Sequence, residues 1–400
     1  MGADSSSGAL RADAAAVRDR GLLQRTRLRR GDAQLTGQSD GRLRVVQVGA
    51  GGMGRAWIGA IAASDETELV GLVDLNMTTA HDALADAGLT DVAVGTSAAE
   101  VARAVGADVV VNVTVPVAHL PVNVEALAAG YPVLCEKPAA PTVSDALRQA
   151  AAAEVHGRLL MISQSRRYFD GLRALKRQTE RLGEIGAVTT DFFRAPHFGG
   201  FREEMEHVLL VDMAIHQFDA ARYLIGRDPV AVYAEEYNPS WSWYRGDANA
   251  VAVFEFEGGA RYTYSGSWCA PGLETSWNGR WRISGEAGSA EWDGDGAPRA
   301  EIGVGSVEQE LDTAPEQIEG SLAEFVAAVR AGETPSTDAR SNVASLAMVE
   351  AAVRSASTGR RVRIATVIEE AYEAALVDEK DDAVREVLER WRAEVLLPRR

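Results

Sequence analysis

"VVQVGAGGMGRAW" occupies residues 45–57. An apolar run without alternation gives way to glycines spaced Gly49-x-Gly51-x-x-Gly54, and then to a segment of helical composition. Strand, glycine turn and helix in that order form a dinucleotide-binding fingerprint. Gly49 permits the tight turn, Gly51 lets the backbone approach the pyrophosphate, and Gly54 lets helix and strand pack closely. Gly52 and Met53 lie in the same turn at the helix N-terminus, where N–H donors and a partial positive charge face an anion. Asp74 ends the next apolar run, twenty residues past Gly54. Its carboxylate can accept from both ribose hydroxyls and repels a 2′-phosphate, and the Leu75-Asn76 that follow supply no cation. The expected cofactor is NAD, with NADP disfavoured. A nucleotide-sugar or S-adenosylmethionine site on a similar sheet is the competing reading.

Outward from this turn, short Val-rich runs alternate with Ala-rich segments of helical length. The runs are 43–48, 68–74, 108–115, 131–136 and 158–164, and the segments between them reach about residue 63 and then span 78–87, 117–129 and 142–155. Unalternating runs are strands buried on both faces, and strand–helix repetition implies right-handed crossovers and a parallel sheet. Residues 41–163 therefore read as a doubly wound domain. The second half differs. Helices near 168–182 and 208–224 flank strands at 187–193, 230–236, 250–257, 260–267, 277–284 and 289–292, with few helices between strands. That pattern predicts a second α/β domain over 164–365 with an open, mostly antiparallel sheet. Helices follow at 321–331 and 341–358, and a last charged helix at 367–396 forms a C-terminal extension over 366–400.

Composition bounds the function. The 400 residues carry 46% hydrophobic and 25% charged side chains and a formal net charge of -17, which speaks against nucleic acid as a partner. Six arginines fall between Arg18 and Arg30, so residues 1–40 read as a basic, flexible arm. No run approaches the roughly 18 apolar residues of a membrane span. With two cysteines, Cys135 and Cys269, in apolar surroundings and no signal-peptide core, the expected location is the cytoplasm.

Two constellations carry candidate chemistry. "LCEKPAAP" (134–141) places Glu136-Lys137-Pro138 at a strand's carboxyl end, the edge where ligands lie in a doubly wound sheet. Pro138 restricts Lys137 to an extended backbone, so the lysine's direction is preset. Lys137 is either a solvated charge or a donor to a substrate hydroxyl, with burial and a nicotinamide ring lowering its pKa. "LLVDMAIHQFD" (209–219) places Asp212 and His216 four apart, on one face of a helix. They read as a base with its orienter or as a satisfied core histidine. A metal site would add His207 or His197, but the spacing is irregular, and no metal is expected. Six of eight tryptophans fall within 241–292, a packing face or a sugar-stacking one.

Together the motifs resemble the Gfo/Idh/MocA family (glucose-fructose oxidoreductase, inositol dehydrogenase, MocA). The resemblance covers about 43–365 and rests on the glycine turn, Asp74, Thr114-x-Pro116-x-x-His119, Glu136-Lys137-Pro138, Asp212-x-x-x-His216 and "EAAVRSASTGRRV" (350–362). It implies an N-terminal Rossmann domain, a C-terminal open-sheet domain that pairs into homodimers or homotetramers, and NAD(P)-dependent redox chemistry on a hydroxyl of a sugar, inositol or glycoside. Thr114, Pro116, His119 and Glu136 join the cofactor-binding set. His216 would accept the proton, Lys137 would hydrogen-bond the reacting oxygen, and Asp212 would orient the imidazole or bind a neighbouring hydroxyl. Arg167, Tyr168, His197 and His207, with Asn112, are weaker site candidates. Elimination-type glycoside cleavage and a non-catalytic NAD sensor are the alternatives. Family members often carry glycines where this chain has Glu206-His207-Val208, so "PHFGGFREEMEH" (196–207) is the candidate specificity loop.

Overall fold

The computed structural model describes residues 41–396 apart from 304, 309 and 310; the arm expected over 1–40 lies outside the described residues. The first domain holds strands β1 (Leu43–Val48), β2 (Thr67–Val73), β3 (Ala93–Gly95), β4 (Val109–Asn112), β5 (Val133–Glu136) and β6 (Leu160–Ser163). Helices α1 (Gly52–Ala63), α2 (Met77–Asp86), α3 (Ala98–Val105), α4 (Pro116–Ala128) and α5 (Val143–His156) connect them. All pairings are parallel, in the order β3-β2-β1-β4-β5-β6. The strand order reverses between β1 and β4, so a crevice opens at their carboxyl ends. β4, β5 and β6 are buried along their whole length because helices cover both faces.

The sequence reading missed β3 and α3. β3 has only three residues and is half exposed, so no apolar run announces it. α3 is short but well signalled in retrospect: the Ser97 hydroxyl caps it by accepting from Glu100 N, and Gly106 closes it in the left-handed region at φ 64°.

The second domain opens with a 3-10 turn, Ser165–Tyr168, and α6 (Asp170–Thr179). Its sheet contains β7 (Ile185–Phe193), β8 (Pro229–Tyr237), β9 (Asn249–Phe256), β10 (Arg261–Ser267), β11 (Arg280–Gly285), β12 (Gly288–Trp292), β13 (Arg299–Ile302), β14 (Gly305–Glu308) and β15 (Val362–Arg363). The order is β14-β13-β12-β11-β7-β10-β9-β8-β15, antiparallel except for the β7–β10 pair. Buried and exposed positions alternate along β9 and β10, which puts one face inward. Tyr262, Tyr264 and Trp268 are on that buried side, and Phe218 of α7 (Ile215–Ile225) meets Tyr264 edge-on at 5.4 Å. These aromatics therefore pack helix on sheet.

α8 (Gln317–Ala331) returns to the first domain and packs on α1. The chain after it runs beside the edge strand β6, where Ile162 N donates to Thr337 O at 2.9 Å, and then enters α9 (Ala339–Thr358). The expected single helix over 367–396 is two, α10 (Ile364–Asp378) and α11 (Asp382–Leu396). The break has a physical cause. The Glu379 carboxylate accepts from Lys380 N, Asp381 N and the Arg148 guanidinium, and the Asp381 carboxylate accepts from Ala383 N and Val384 N to start α11. Both helices pack on α5, so the extension is a layer over the first domain. Its anchor is Trp391, which is buried, donates to Glu154 at 3.1 Å and lies under the Arg340 guanidinium at 4.1 Å. Trp391→Ala should destabilise the protein by about 3–5 kcal/mol, the usual cost of emptying a buried tryptophan site, read as a lowered denaturation midpoint. An unchanged midpoint would show that α11 is dispensable.

Candidate active site

The glycine turn is built as its composition requires. Gly49 has φ 102°, and a Cβ there would lie 2.6 Å from Val113 O. A Cβ at Gly54 would lie 2.3 Å from Gly49 O. The buried Gln47 amide donates to both Gly49 O and Gly54 O at 2.8 Å, which clamps the two sides of the turn. By contrast nothing stands within 4 Å of a Cβ at Gly51 or Gly52, and Met53 is 47% exposed. The first turn of α1 has no side-chain cap and no acidic residue. An open, uncapped helix N-terminus behind small residues fits a pyrophosphate. Asp74 completes the cradle: its carboxylate accepts from Ala50 N at 2.9 Å and Asn76 N at 2.8 Å, so its orientation is fixed.

The next strand ends serve the site less directly. Thr114 is partly exposed and Pro116 is the first residue of α4. His119 was expected to contact the cofactor, but it is fully buried. Its Nδ1 lies 2.8 Å from Pro138 O and its Nε2 3.0 Å from Thr114 O. Burial pushes its pKa down, against the two carbonyls and Glu136. It ties two ligand-facing turns together from behind. Asn112 is also internal, donating to Asn123 and accepting from Thr114 N. Glu136 is a strut as well: Oε1 accepts from Trp57 Nε1 at 2.8 Å and Oε2 from Lys137 N at 2.9 Å.

Lys137 leaves that turn, before a cis peptide bond to Pro138, and reaches the second domain. Its Nζ donates to Asp212 O at 2.9 Å and lies 3.5 Å from Asp212 Oδ1. Asp212 Oδ2 accepts from Arg202 Nε at 2.6 Å. Burial would raise the Asp212 pKa, yet Lys137 and Arg202 hold it below the usual carboxylate range. His216 follows in the first turn of α7, and burial, with Lys137 and Arg166 beside it, holds its pKa well below the ordinary value. Its Nδ1 is buried without a hydrogen-bond partner.

One expectation is corrected here. Asp212 does not hydrogen-bond His216. Residues Leu209–Ala214 form a π-turn, so the four-residue spacing no longer stacks the two side chains as in a regular α-helix. Their shared neighbour is Lys137.

The weaker candidates fare differently. Arg167 is locked in the core: Nε and Nη2 each donate to Asp219 at 2.7 Å, and it has no free fork for a substrate. Tyr168 is buried against the α8 side, where a Cβ on Gly320 would meet its ring. His197 is exposed and stacks on Trp243 at 3.8 Å. His207 pairs with Glu236 at 2.7 Å, which raises its pKa. Sequence reasoning missed Arg166 and Arg202. Both lie in stretches it had singled out, and what it lacked was which side of a 3-10 turn each occupies. The 196–207 segment carries Arg202, whose guanidinium sits over Phe198 and Phe201 at 5.2 and 4.9 Å. Among the described residues no group of three or more His, Cys, Asp or Glu is arranged to hold a metal, and no helix is long and apolar enough to cross a membrane.

Comparison with known proteins gives the family. Residues 43–164 match the oxidoreductase family with an NAD-binding Rossmann fold, and residues 172–291 match the GFO/IDH/MocA C-terminal domain. The chain belongs to the Gfo/Idh/MocA family. Protein y4oX of Sinorhizobium fredii, itself uncharacterized, is 32% identical over 260 residues, 62% of this chain and 72% of that protein. An inositol 2-dehydrogenase of Ralstonia nicotianae is 31% identical over 193 residues, 47% of this chain and 56% of that one. The structure of an aldose-aldose oxidoreductase from Caulobacter crescentus, complexed with glycerol, superposes with a TM-score of 0.69 at 25% identity, covering 80% of this chain and 99% of that one. This Gfo/Idh/MocA protein is thus an oxidoreductase with an NAD-binding Rossmann domain.

The two kinds of glycine separate binding from folding. Gly51→Ala should change stability by less than about 1 kcal/mol, as an N-cap glycine facing open space, while weakening NAD binding. Gly54→Ala should lower both, because its Cβ meets backbone. Calorimetric NAD titration beside a thermal melt checks this, and equal melting losses in the two variants would contradict the geometry.

Proposed function

We propose that this oxidoreductase is an NAD-dependent dehydrogenase acting on a hydroxyl-bearing carbon of a sugar, inositol or glycoside. The observation that carries the reading is the convergence of Lys137, from the first domain, on Asp212 and His216 of the second, at the carboxyl edge of the Rossmann sheet. Gly49, Gly51, Gly52, Met53 and Gly54 would hold the pyrophosphate and Asp74 the ribose. Asp74 with no adjacent cation favours NAD over NADP. When bound, the nicotinamide supplies the two-electron acceptor.

The chain's own residues supply the rest. A neutral imidazole keeps one acceptor nitrogen, so His216 accepts the proton of the reacting hydroxyl. The Lys137 ammonium hydrogen-bonds that oxygen and stabilises the negative charge that develops on it. Asp212, held ionised, fixes the ammonium and binds a neighbouring hydroxyl. Exposed Tyr233, Val251 and Val253 on the outer face of the C-terminal sheet support a homodimer or homotetramer formed through that face.

NADH formation followed at 340 nm across inositols, monosaccharides and glycosides tests the reading. Lys137→Ala should lose at least a hundredfold in kcat while NAD still binds, whereas a sensor would keep its behaviour. The pH dependence carries a sign. The active form of His216 is neutral, and its pKa lies well below 6.5, so kcat/KM should stay flat as pH falls through 6.5 and decline only below it. An acid limb centred at 6.5 would assign the proton to another group.

A further inference from the structure

Arg166 follows β6, whose last residue Ser163 pairs with Glu136, so it stands one strand across from Lys137 at the ligand edge of the sheet. It borders a small cavity together with His216, Gln217, Asn278 and Trp281. Among the described residues its guanidinium donates through Nη1 to Asn278 Oδ1 at 2.8 Å, an uncharged partner. Burial lowers its pKa to about 10, and among the described residues no carboxylate offsets this. Arg167 beside it shows the contrast, with its guanidinium doubly bonded to Asp219. A guanidinium taken out of water without a counter-ion is costly, and its planar fork matches an oxyanion.

The surrounding charge points the same way. Lys137 and Arg166 place two cations beside His216, a third, Arg202, is bonded to Asp212, and Asp212 is the acid bonded within this set. Nearby acids are otherwise engaged: Glu136 with Trp57 and Lys137 N, Glu236 with His207, and Glu274 with Arg194. His216 and Gln217 line the same cavity, and His216 Nδ1 is buried without a partner. The cofactor's own pyrophosphate does not answer this charge, because β1 lies three strands from β6, roughly 14 Å at the spacing of paired strands.

We propose that Arg166 is a specificity-determining residue that binds an anionic group, carboxylate or phosphate, on the sugar or polyol substrate. This rests on the dehydrogenase reading for the word substrate, but the binding itself is testable without turnover. D-glucuronate, D-glucose 6-phosphate and D-glucose are titrated by calorimetry into the full chain saturated with NADH, as wild type, R166Q and R166K. One of the anionic sugars should bind at least tenfold tighter than glucose. R166Q should reduce that preference at least tenfold, and R166K should retain part of it. Preference for glucuronate assigns a carboxylate, and preference for the phosphate ester assigns a phosphate. A wild type that binds glucose as well as the anions, a preference that survives R166Q, or no binding of either anion overturns the proposal. Anion binding without oxidation of any sugar would instead sink the dehydrogenase reading and leave the role of Arg166 standing.

Discussion

The hydrogen bond from Trp57 to Glu136 sets the rest of the site. It joins the helix that opens the cofactor turn to the turn that carries Lys137, at 2.8 Å and inside the protein. The same carboxylate accepts from Lys137 N, so one buried side chain fixes the lysine backbone relative to α1. Burial raises the Glu136 pKa, opposed by Trp57 and Lys137. Both carboxylate oxygens are engaged inside the protein, which makes the geometry stiff. From the opposite side His119 reaches Pro138 O and Thr114 O. Burial favours the neutral ring, which donates to one of the two carbonyls. Between these struts, Lys137 projects from a turn that is held on both flanks.

Its reach across the domain boundary explains why the second domain must be docked so firmly. Lys137 meets both the backbone and the carboxylate of Asp212, and in the proposed mechanism a shift of about 1 Å would cost a large factor in rate. Three sets of contacts resist that shift. α8 lies against α1, the 337–338 segment bonds to β6, and α9, α10 and α11 pack on α5. The C-terminal extension, which adds nothing to the site itself, is in this sense part of its support: Trp391 and Arg390 hold Glu154 of α5.

The parts legible in the sequence were those fixed by backbone requirements. Gly49 and Gly54 sit where a Cβ would strike a carbonyl, and unalternating runs mark strands covered on both faces, so the doubly wound domain, the open second sheet and the tight glycine turn followed from pattern alone. Side-chain destinations were not legible in this way. Arg166 and Arg167 are neighbours in a single 3-10 turn, and the turn sends one toward His216 and the other into Asp219. No period in the sequence distinguishes them. Likewise Asp212 and His216 keep a helical spacing on paper, while the π-turn at Leu209–Ala214 changes what that spacing means. The charged run at 379–382 looked like helix surface because its capping function depends on backbone N–H groups that composition does not show.

The π-turn deserves its place in the mechanism for the same reason. An α-helix that ran regularly through 209–225 would set Asp212 and His216 one above the other, and the natural bond would join them. The imidazole would then carry a carboxylate partner and a raised pKa. Widening the helix by one residue gives the carboxylate instead to Lys137 and Arg202. That leaves the imidazole among cations, neutral and with a nitrogen free to accept. The same residues in a regular helix would favour a protonated histidine. In the proposed mechanism, the local backbone irregularity therefore selects which group is poised to take a proton and leaves positive charge from Lys137 and Arg166 beside it.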